Sequence, residues 1–398
     1  MNLFLIKIGK AWNVLKRDGL LGGTKRILGA FLSLFQRVEP GDILFISNGV
    51  GDSARYRTKH KAEELRLQGF KVSVTVQDNP FLVSYASKFS VFVFHRVLFT
   101  PRVATFVQEI KARKHEIMFD TDDLVYDPSF LPYMDGYQTM NPLERKLYEK
   151  GLGREILDDP AVTVCTASTT YLAHKLEERK KKVFVTRNTL SQEDVEWAEE
   201  IIEKKAQNSK LKTLPHVRIA YFSGTQSHNK DFAVITPVLA HLLMKYSHLR
   251  LVLAGPLDVT NILHDFESQI ERVAFAPRKE HFSNIASADI NLAPLEMGNP
   301  FCDSKSELKW FEAGLVSVPT VASATGTFRE AITDGVDGFV ASTPTEWTEK
   351  IERLIVSDEL RKSMGEKARE TVLKKYITKN ADNYEYYEYL RLKVKKEF

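Results

Sequence analysis

The sequence predicts an α/β protein with two doubly wound parallel-sheet domains. Three observations carry this. At 398 residues the chain exceeds one typical domain and can bury two cores. Short apolar runs rich in β-branched and aromatic residues alternate with helical patterns, as in a parallel sheet covered on both faces. The alternation also occurs twice, separated by a charged stretch at 191–212.

Residues 1–38 read as a basic amphipathic arm. Lys7, Lys10, Lys16, Arg17, Lys25, Arg26 and Arg37 stand against one acid, Asp18, and are interleaved with Leu, Ile, Phe and Trp. Such a segment fits an interfacial anchor on an anionic membrane surface, and equally a helix docked on the protein's own first domain. It lacks a signal peptide's apolar block, and no run reaches the ~18 apolar residues of a spanning helix.

Residues 39–212 are expected to form the first Rossmann-like domain and a linker. Its strands are DILFIS (42–47), KVSVTV (71–76), VFVFH (91–95), EIMFD (116–120), AVTVCTAS (161–168) and KVFVTRN (182–188). The second domain, 213–370, has VRIAYFSG (217–224), LRLVLAG (249–255), VAFAP (273–277), INLAP (290–294), PTVAS (319–323) and GFVAS (338–342). Residues 371–398 read as a helix with a basic, tyrosine-rich tail. Two such domains facing each other predict ligand binding in a central cleft, at the carboxyl ends of the strands.

Charged residues at 27% and hydrophobic ones at 43% are ordinary globular values. Cys165 and Cys302 match no metal spacing and read as free thiols in a reducing compartment, which points to the cytoplasm. A net charge of +4 is too slight to argue for a nucleic-acid partner.

The stretch from Cys302 to Ala331 concentrates the chemistry. Ser304-Lys305-Ser306-Glu307 fits an S-x-x-E capping box, so a helix is expected to start at Ser304. Lys305, Lys309 and Glu312 would then share one face, with Leu308, Phe311 and Leu315 turned inward. A second box, Thr327 to Glu330, follows the Ala324-Thr325-Gly326 loop. Two helix N-termini beside lysines suit a phosphate, and a carboxylate among them can accept hydrogen bonds from sugar hydroxyls. An exposed Lys309–Glu312 pair, worth about 0.2–0.5 kcal/mol, explains the same spacing.

ELKWFEAGLVSVPTVASATGTFREAITDGVDGFV resembles the donor-binding signature of the retaining GT-B glycosyltransferases of family 4, and the likeness spans residues 42–378. That family has a glutamate, seven residues, a second glutamate, a small-residue turn and a following REAI-type helix. Glu312 matches the second glutamate, which in the family holds the nucleotide's ribose. The first would fall at Ser304, so this chain is closer to a variant subgroup reading KSELK.FEA, with Ser304, Lys305 and Ser306 in its place. The resemblance also implies a C-terminal helix crossing back to brace the first domain.

SGTQSHNKDF follows the first strand of the second domain. Its Gly224 and Lys230 match the glycine and lysine of the family's diphosphate loop, while Thr225 stands where the family has arginine. GVGDSA fits G-x-G-x-x-G/A through Gly49, Gly51 and Ala54, with Asp78 beyond the next strand, as in a dinucleotide fold. Asp52 would set a carboxylate where a pyrophosphate sits, and Arg55, Arg57, Lys59 and Lys61 make the next helix basic. In the resembling enzymes this glycine loop contributes to donor or acceptor binding.

FDTDD (119–123) ends a strand. Its aspartates could supply hard oxygen ligands to Mg²⁺ or Mn²⁺, or cap a helix. We read Asp122 and Asp123 as acceptor-binding or acid–base groups instead of metal ligands. His95 closes VFVFH, and related enzymes have a histidine near this strand end that contacts the transferred sugar.

The resemblance thus implies retaining, metal-independent transfer from a nucleotide-sugar donor to a glycan or lipid-linked glycan, in surface polysaccharide synthesis. Its catalytic candidates are His95, Asp122 and Asp123. The donor set is Gly49, Gly51, Gly224, Lys230, Ser304, Lys305, Ser306, Lys309, Glu312, Thr325 and Gly326. No cofactor is expected, because the nucleotide sugar is a substrate. The expected location is cytoplasmic, and peripheral on the inner membrane face if the arm binds lipid. The alternatives are a dinucleotide-dependent oxidoreductase using GVGDSA and a non-catalytic sugar-nucleotide-binding protein.

Overall fold

The structure is a computed structural model that describes residues 23–394 other than 25, 26, 30, 33, 36, 50, 210–215, 225–228, 256 and 258–260. The arm's Lys7, Lys10, Lys16, Arg17, Lys25 and Arg26 lie outside the described residues, and so does Thr225. The chain divides into two compact units. The first comprises Met1–Pro132, Thr139–Thr189 and Ala381–Phe398, and the second Tyr133–Gln138 and Leu190–Asn380.

The first unit holds a six-stranded sheet in the order β2-β1-β3-β4-β5-β6. Its strands are β1 (Ile43–Ser47), β2 (Val72–Val76), β3 (Val91–His95), β4 (Glu116–Thr121), β5 (Val164–Ala167) and β6 (Lys182–Val185), each parallel to its neighbours. Every residue of β1 and β3 is buried, as expected of central parallel strands covered on both faces. Ile43 pairs with Val72 on one side and Val91 on the other, so the loops leaving β1 and β3 begin side by side. The C-terminal helix Tyr384–Val394 belongs to this unit. It buries Tyr386, Tyr387 and Leu390 in a core with Ile43, Phe45, Val93 and Phe184.

The second unit has the order β12-β11-β10-β7-β8-β9. Here β7 is Val217–Phe222, β8 Leu249–Ala254, β9 Ile270–Val273, β10 Ile290–Ala293, β11 Thr320–Ser323 and β12 Phe339–Ala341. The helix Leu308–Leu315 packs over β10, where the buried Asn291 donates to the Lys309 carbonyl and to Thr320 Oγ1, both at 3.0 Å. Trp310 is fully buried and donates its indole N–H to the Asp337 carbonyl at 2.8 Å.

Local sequence signals failed at three places. The capping box at Ser304 does not form: a short helix, Pro300–Asp303, ends there, and the next begins at Leu308. Ser304 Oγ instead donates back to the Phe301 carbonyl at 2.8 Å. The second box fails too, because Thr327 lies inside the helix Gly326–Ala331, whose N-cap is Thr325. VAFAP is not a strand; β9 ends at Val273, where pairing with Ala254 of β8 runs out.

Candidate functional site

Each sheet reverses its winding at one point, and there the carboxyl ends of neighbouring strands leave a crevice suited to a ligand. In the first sheet that point lies between β1 and β3, and in the second between β7 and β10.

At the first, the GVGDSA loop leaves β1 and His95 ends β3. The chain then enters a helical stretch, Asp52–Ala54, a π-helical Arg55–His60 and Lys61–Leu67. The basic character expected of this stretch is corrected: Arg57 is 0% exposed and Lys61 2% exposed. Arg57 turns under the sheet end and holds Asp120 with two hydrogen bonds, Nη2 to Oδ1 at 2.5 Å and Nε to Oδ2 at 3.1 Å. It also donates to Thr186 and Asn188, so all three of its nitrogens are used. Lys61 pairs with Glu64 at 2.6 Å, and Glu64 also accepts from Asn383, just before the C-terminal helix, and from Tyr387 within it.

His95 is buried between these groups. Its Nδ1 lies 2.8 Å from Asp120 Oδ2, and its Nε2 lies 2.7 Å from Ser53 Oγ and 3.7 Å from Asp122 Oδ1. Arg96 sits in the left-handed region at φ 51°, a strained setting for arginine. Its guanidinium reaches Asp122 at 2.6 Å and Asp123 at 2.5 Å. Burial works against ionisation of Asp120, yet Arg57 and His95 outweigh it and hold the carboxyl well below the usual range. Burial also opposes ionisation of Asp122, but Arg96 and His95 bring it down, whereas burial and the neighbouring Asp122 charge push Asp123 up. Two adjacent carboxylates driven apart in this way suit separate base and acid roles.

The structure therefore brings His95, Asp122 and Asp123 together. Sequence reasoning missed Ser53, Arg96, Arg57 and Asp120, although the last lies inside FDTDD. Among the described residues, no group of three or more His, Cys, Asp or Glu is placed to hold a metal ion.

In the second unit the helix Leu308–Leu315 aims its polar groups at the end of β7. Lys309 donates to the Phe222 carbonyl, and its ammonium lies 4.9 Å from the Tyr221 ring centroid. Burial, helped by the nearby Lys305 charge, pulls the Lys309 pKa down to about 8. Lys305 reaches the buried Asp231 at 2.8 Å, and Cys302 Sγ lies 3.1 Å from the same carboxylate. Glu312 is not on an exposed lysine face. It is 4% exposed and pairs with Arg278 at 2.6 Å, with His281 Nε2 at 3.5 Å. Arg278 in turn forks onto Asp194 at 2.8 and 3.1 Å. The sequence gives no cue to Arg278, which comes from a helix far from the signature.

Lys230 is exposed at the start of a short helix, where its backbone N–H donates to Asp135 at 3.0 Å. Ser306 lies half-buried in the turn before Leu308. Thr325, buried at the end of β11, has a hydroxyl with no hydrogen-bond partner. Gly49, Gly51, Gly224 and Gly326 all have ordinary φ, and a Cβ on any of them would meet nothing within 4 Å. Packing therefore does not require glycine at these four positions, whereas close approach of a ligand to the backbone would.

Residues 237–383 match the family described as glycosyl transferase-like. No curated protein matches the chain in sequence. Among solved structures, the chain is similar to Anabaena HepE in complex with UDP and glucose, at 14% identity over 88% of this chain and 100% of that one, with a TM-score of 0.56. A glycosyltransferase from Rickettsia africae aligns at 13% identity over 90% and 100%, with a TM-score of 0.60. Sucrose-phosphate synthase from Thermosynechococcus elongatus aligns at 12% identity over 89% and 97%, with a TM-score of 0.57. The fold is that of the GT-B glycosyltransferases, with two Rossmann-like units each wound around a parallel sheet, and the second unit carries the glycosyl transferase-like segment.

Proposed function

We propose that this protein is a retaining, metal-independent glycosyltransferase that moves a sugar from a nucleotide-sugar donor to a glycan or lipid-linked glycan in surface polysaccharide synthesis. One observation carries the reading. Lys305, Lys309, Glu312 and the unpartnered Thr325 hydroxyl all lie within the segment matching the glycosyl transferase-like family. Lys309, with Lys305 and Lys230, would neutralise the donor diphosphate as it departs, the charge development that such transfer must stabilise. Glu312 gives Oε1 to Arg278 and its Oε2 lies 3.5 Å from His281 Nε2, and a carboxylate's roughly four lone-pair sites leave capacity for ribose hydroxyls as well. Independence of metal is supported by FDTDD, whose carboxylates are engaged by Arg57 and Arg96.

A thermal-shift series with UDP-, GDP-, dTDP- and CMP-sugars, and NAD as control, tests the reading. One nucleotide sugar raises the melting temperature and NAD does not. Lys309 adds a pH signature. Its folded pKa of about 8 lies below its ordinary 10.5, so the unliganded protein gains stability as pH rises through that window. The donor's stabilising effect falls over the same window, because the ammonium that attracts the diphosphate is lost. Lys309→Met removes both trends. Stabilisation by NAD alone would favour the oxidoreductase.

The arm is proposed to hold the enzyme on the inner face of the membrane. Leu28, Phe31, Leu32 and Phe35 are spaced as on one helical face and are 52–62% exposed. No helix among the described residues is long and apolar enough to cross a membrane. Each basic group near an anionic surface contributes about 1 kcal/mol, screened over roughly 8–10 Å. The full chain is expected to co-sediment with anionic liposomes at low salt and to leave them at high salt, while a chain starting at Glu39 stays soluble and binds donor. Insolubility of the shortened chain would instead assign the arm to the core of the first unit.

A further inference from the structure

We infer that Ser53, His95 and Asp120 form a nucleophile–base–orienter triad that cleaves small carboxylic esters, a second activity in the crevice of the first unit. The inference goes beyond the glycosyltransferase reading and does not depend on it. Two hydrogen bonds carry it. His95 Nε2 lies 2.7 Å from Ser53 Oγ, and His95 Nδ1 lies 2.8 Å from Asp120 Oδ2. A serine, a histidine and a carboxylate joined in this order through the two imidazole nitrogens activate a hydroxyl for acyl transfer. The constellation is recognised by its geometry, whatever the order of its members along the chain.

The direction of each hydrogen bond is set from the buried end. Asp120 is forked by the Arg57 guanidinium and also accepts from Thr166 Oγ1 at 2.6 Å, which holds it as an anion. An ionised carboxylate only accepts, so Nδ1 carries the imidazole proton and Nε2 is left to accept from Ser53. Asp122 Oδ1 is 3.7 Å from Nε2, beyond hydrogen-bonding distance, so the serine is the nearer partner. His95 and Asp120 are buried while Ser53 is half-buried, so base and orienter are shielded and the nucleophile faces the crevice side. The loop leaving β1 supplies the room, since a Cβ on Gly49 or Gly51 would meet nothing within 4 Å. Ser53 stands in the first turn of the helical stretch, where N–H groups lack intrahelical partners and can receive a carbonyl oxygen as it gains charge. Asp52 and Arg55 pair on the same stretch, and Arg96 pairs with Asp122 beside His95. These charged surroundings suit a short acyl group on a polar alcohol and not a long apolar chain.

In the acylation step Ser53 Oγ bonds to the ester carbonyl carbon as its proton passes to His95 Nε2, and the carbonyl electron pair moves onto oxygen. That pair then returns, the bond from carbon to the alcohol oxygen breaks, and the leaving oxygen takes the proton from Nε2. The acyl group stays on Oγ. Water repeats the sequence: it gives its proton to Nε2 and bonds to the acyl carbon, the bond to Oγ breaks, Oγ takes the proton back, and the carboxylic acid leaves. Ester and water are the only reactants.

A serine-directed fluorophosphonate tests the triad on the full chain. The wild type is expected to gain one adduct, mapped to Ser53 by mass spectrometry, and to hydrolyse 4-nitrophenyl acetate. Ser53→Ala should lose both. His95→Gln, which removes the base, is expected to slow labelling of Ser53 by about 10²-fold or more, the scale of general-base assistance. Asp120→Asn should slow it as well, because an amide donating to Nδ1 turns the tautomer round and leaves the proton on Nε2. Near-UV circular dichroism like that of the wild type separates these losses from loss of fold. A wild type that takes no adduct overturns the inference, and so does an adduct that persists in Ser53→Ala. Labelling at the wild-type rate in His95→Gln or Asp120→Asn would show a merely exposed serine and overturns it too. No readout involves a nucleotide sugar, so failure here leaves the glycosyltransferase reading standing, and the reverse holds.

Discussion

Arg57→Met is expected to destabilise the first unit by about 3–5 kcal/mol, the cost of breaking a buried ion pair from one side. A typical domain has only about 5–15 kcal/mol in total, so this variant should melt far below the wild type. Arg57 is wholly buried, and its loss leaves Asp120 with only His95 and Thr166 as partners. Asp120 must then take up a proton or remain as an uncompensated buried charge. Arg57 holds the folded-state pKa of Asp120 below its unfolded value, so the stability this contributes is present above the unfolded pKa of about 3.9 and is lost as pH falls through the folded one. That acid-side loss should shrink in Arg57→Met. Adding Asp120→Asn should recover part of the deficit, because the orphaned charge goes with it. Chemical denaturation of the two variants checks both points, and a loss under about 1 kcal/mol would contradict the buried-pair account.

Glu312→Ala is expected to abolish transfer and, unlike a surface carboxylate, to cost stability as well. Glu312 is the shared partner of Arg278 and His281, and Arg278, itself nearly buried, would lose this carboxylate and keep its fork onto Asp194. Unpairing a buried polar group costs about 1–3 kcal/mol, and more for a charged one. Glu312→Gln separates the two effects, since the amide oxygen still accepts from Arg278 while the charge proposed to hold the ribose is gone. We expect this variant to fold normally and to bind donor about 10–100-fold more weakly, as for the loss of a charge-assisted hydrogen bond. Calorimetry with the nucleotide sugar found by thermal shift is the check, and wild-type donor affinity in the glutamine variant would remove Glu312 from the ribose site.

The twofold α/β alternation was legible in the sequence because central parallel strands, buried on both faces, must be continuous apolar runs, as β1, β3 and β10 are. The identity of several polar groups was legible as well: His95 and the FDTDD aspartates stand at strand ends, where a doubly wound sheet exposes its functional edge. What those groups touch was decided only by the tertiary structure. Arg57 reads locally as one more cation in a basic helix, and only the reach of its side chain to Asp120 in β4, 63 residues away, and to Thr186 and Asn188 beyond β6 makes it a fully buried partner of that carboxylate. Glu312 reads as part of a charged face at helical spacing, but the helix starts at Leu308 and the carboxylate turns to Arg278, 34 residues earlier. The capping boxes failed for the same reason, since a cap worth ~1 kcal/mol yields to the packing of Trp310 and Phe311 in the core. Hydrophobic periodicity is a local property and therefore visible along the chain. Pairing of buried charges depends on which distant segments the sheet order brings side by side, and the order of strands is not written in any one of them.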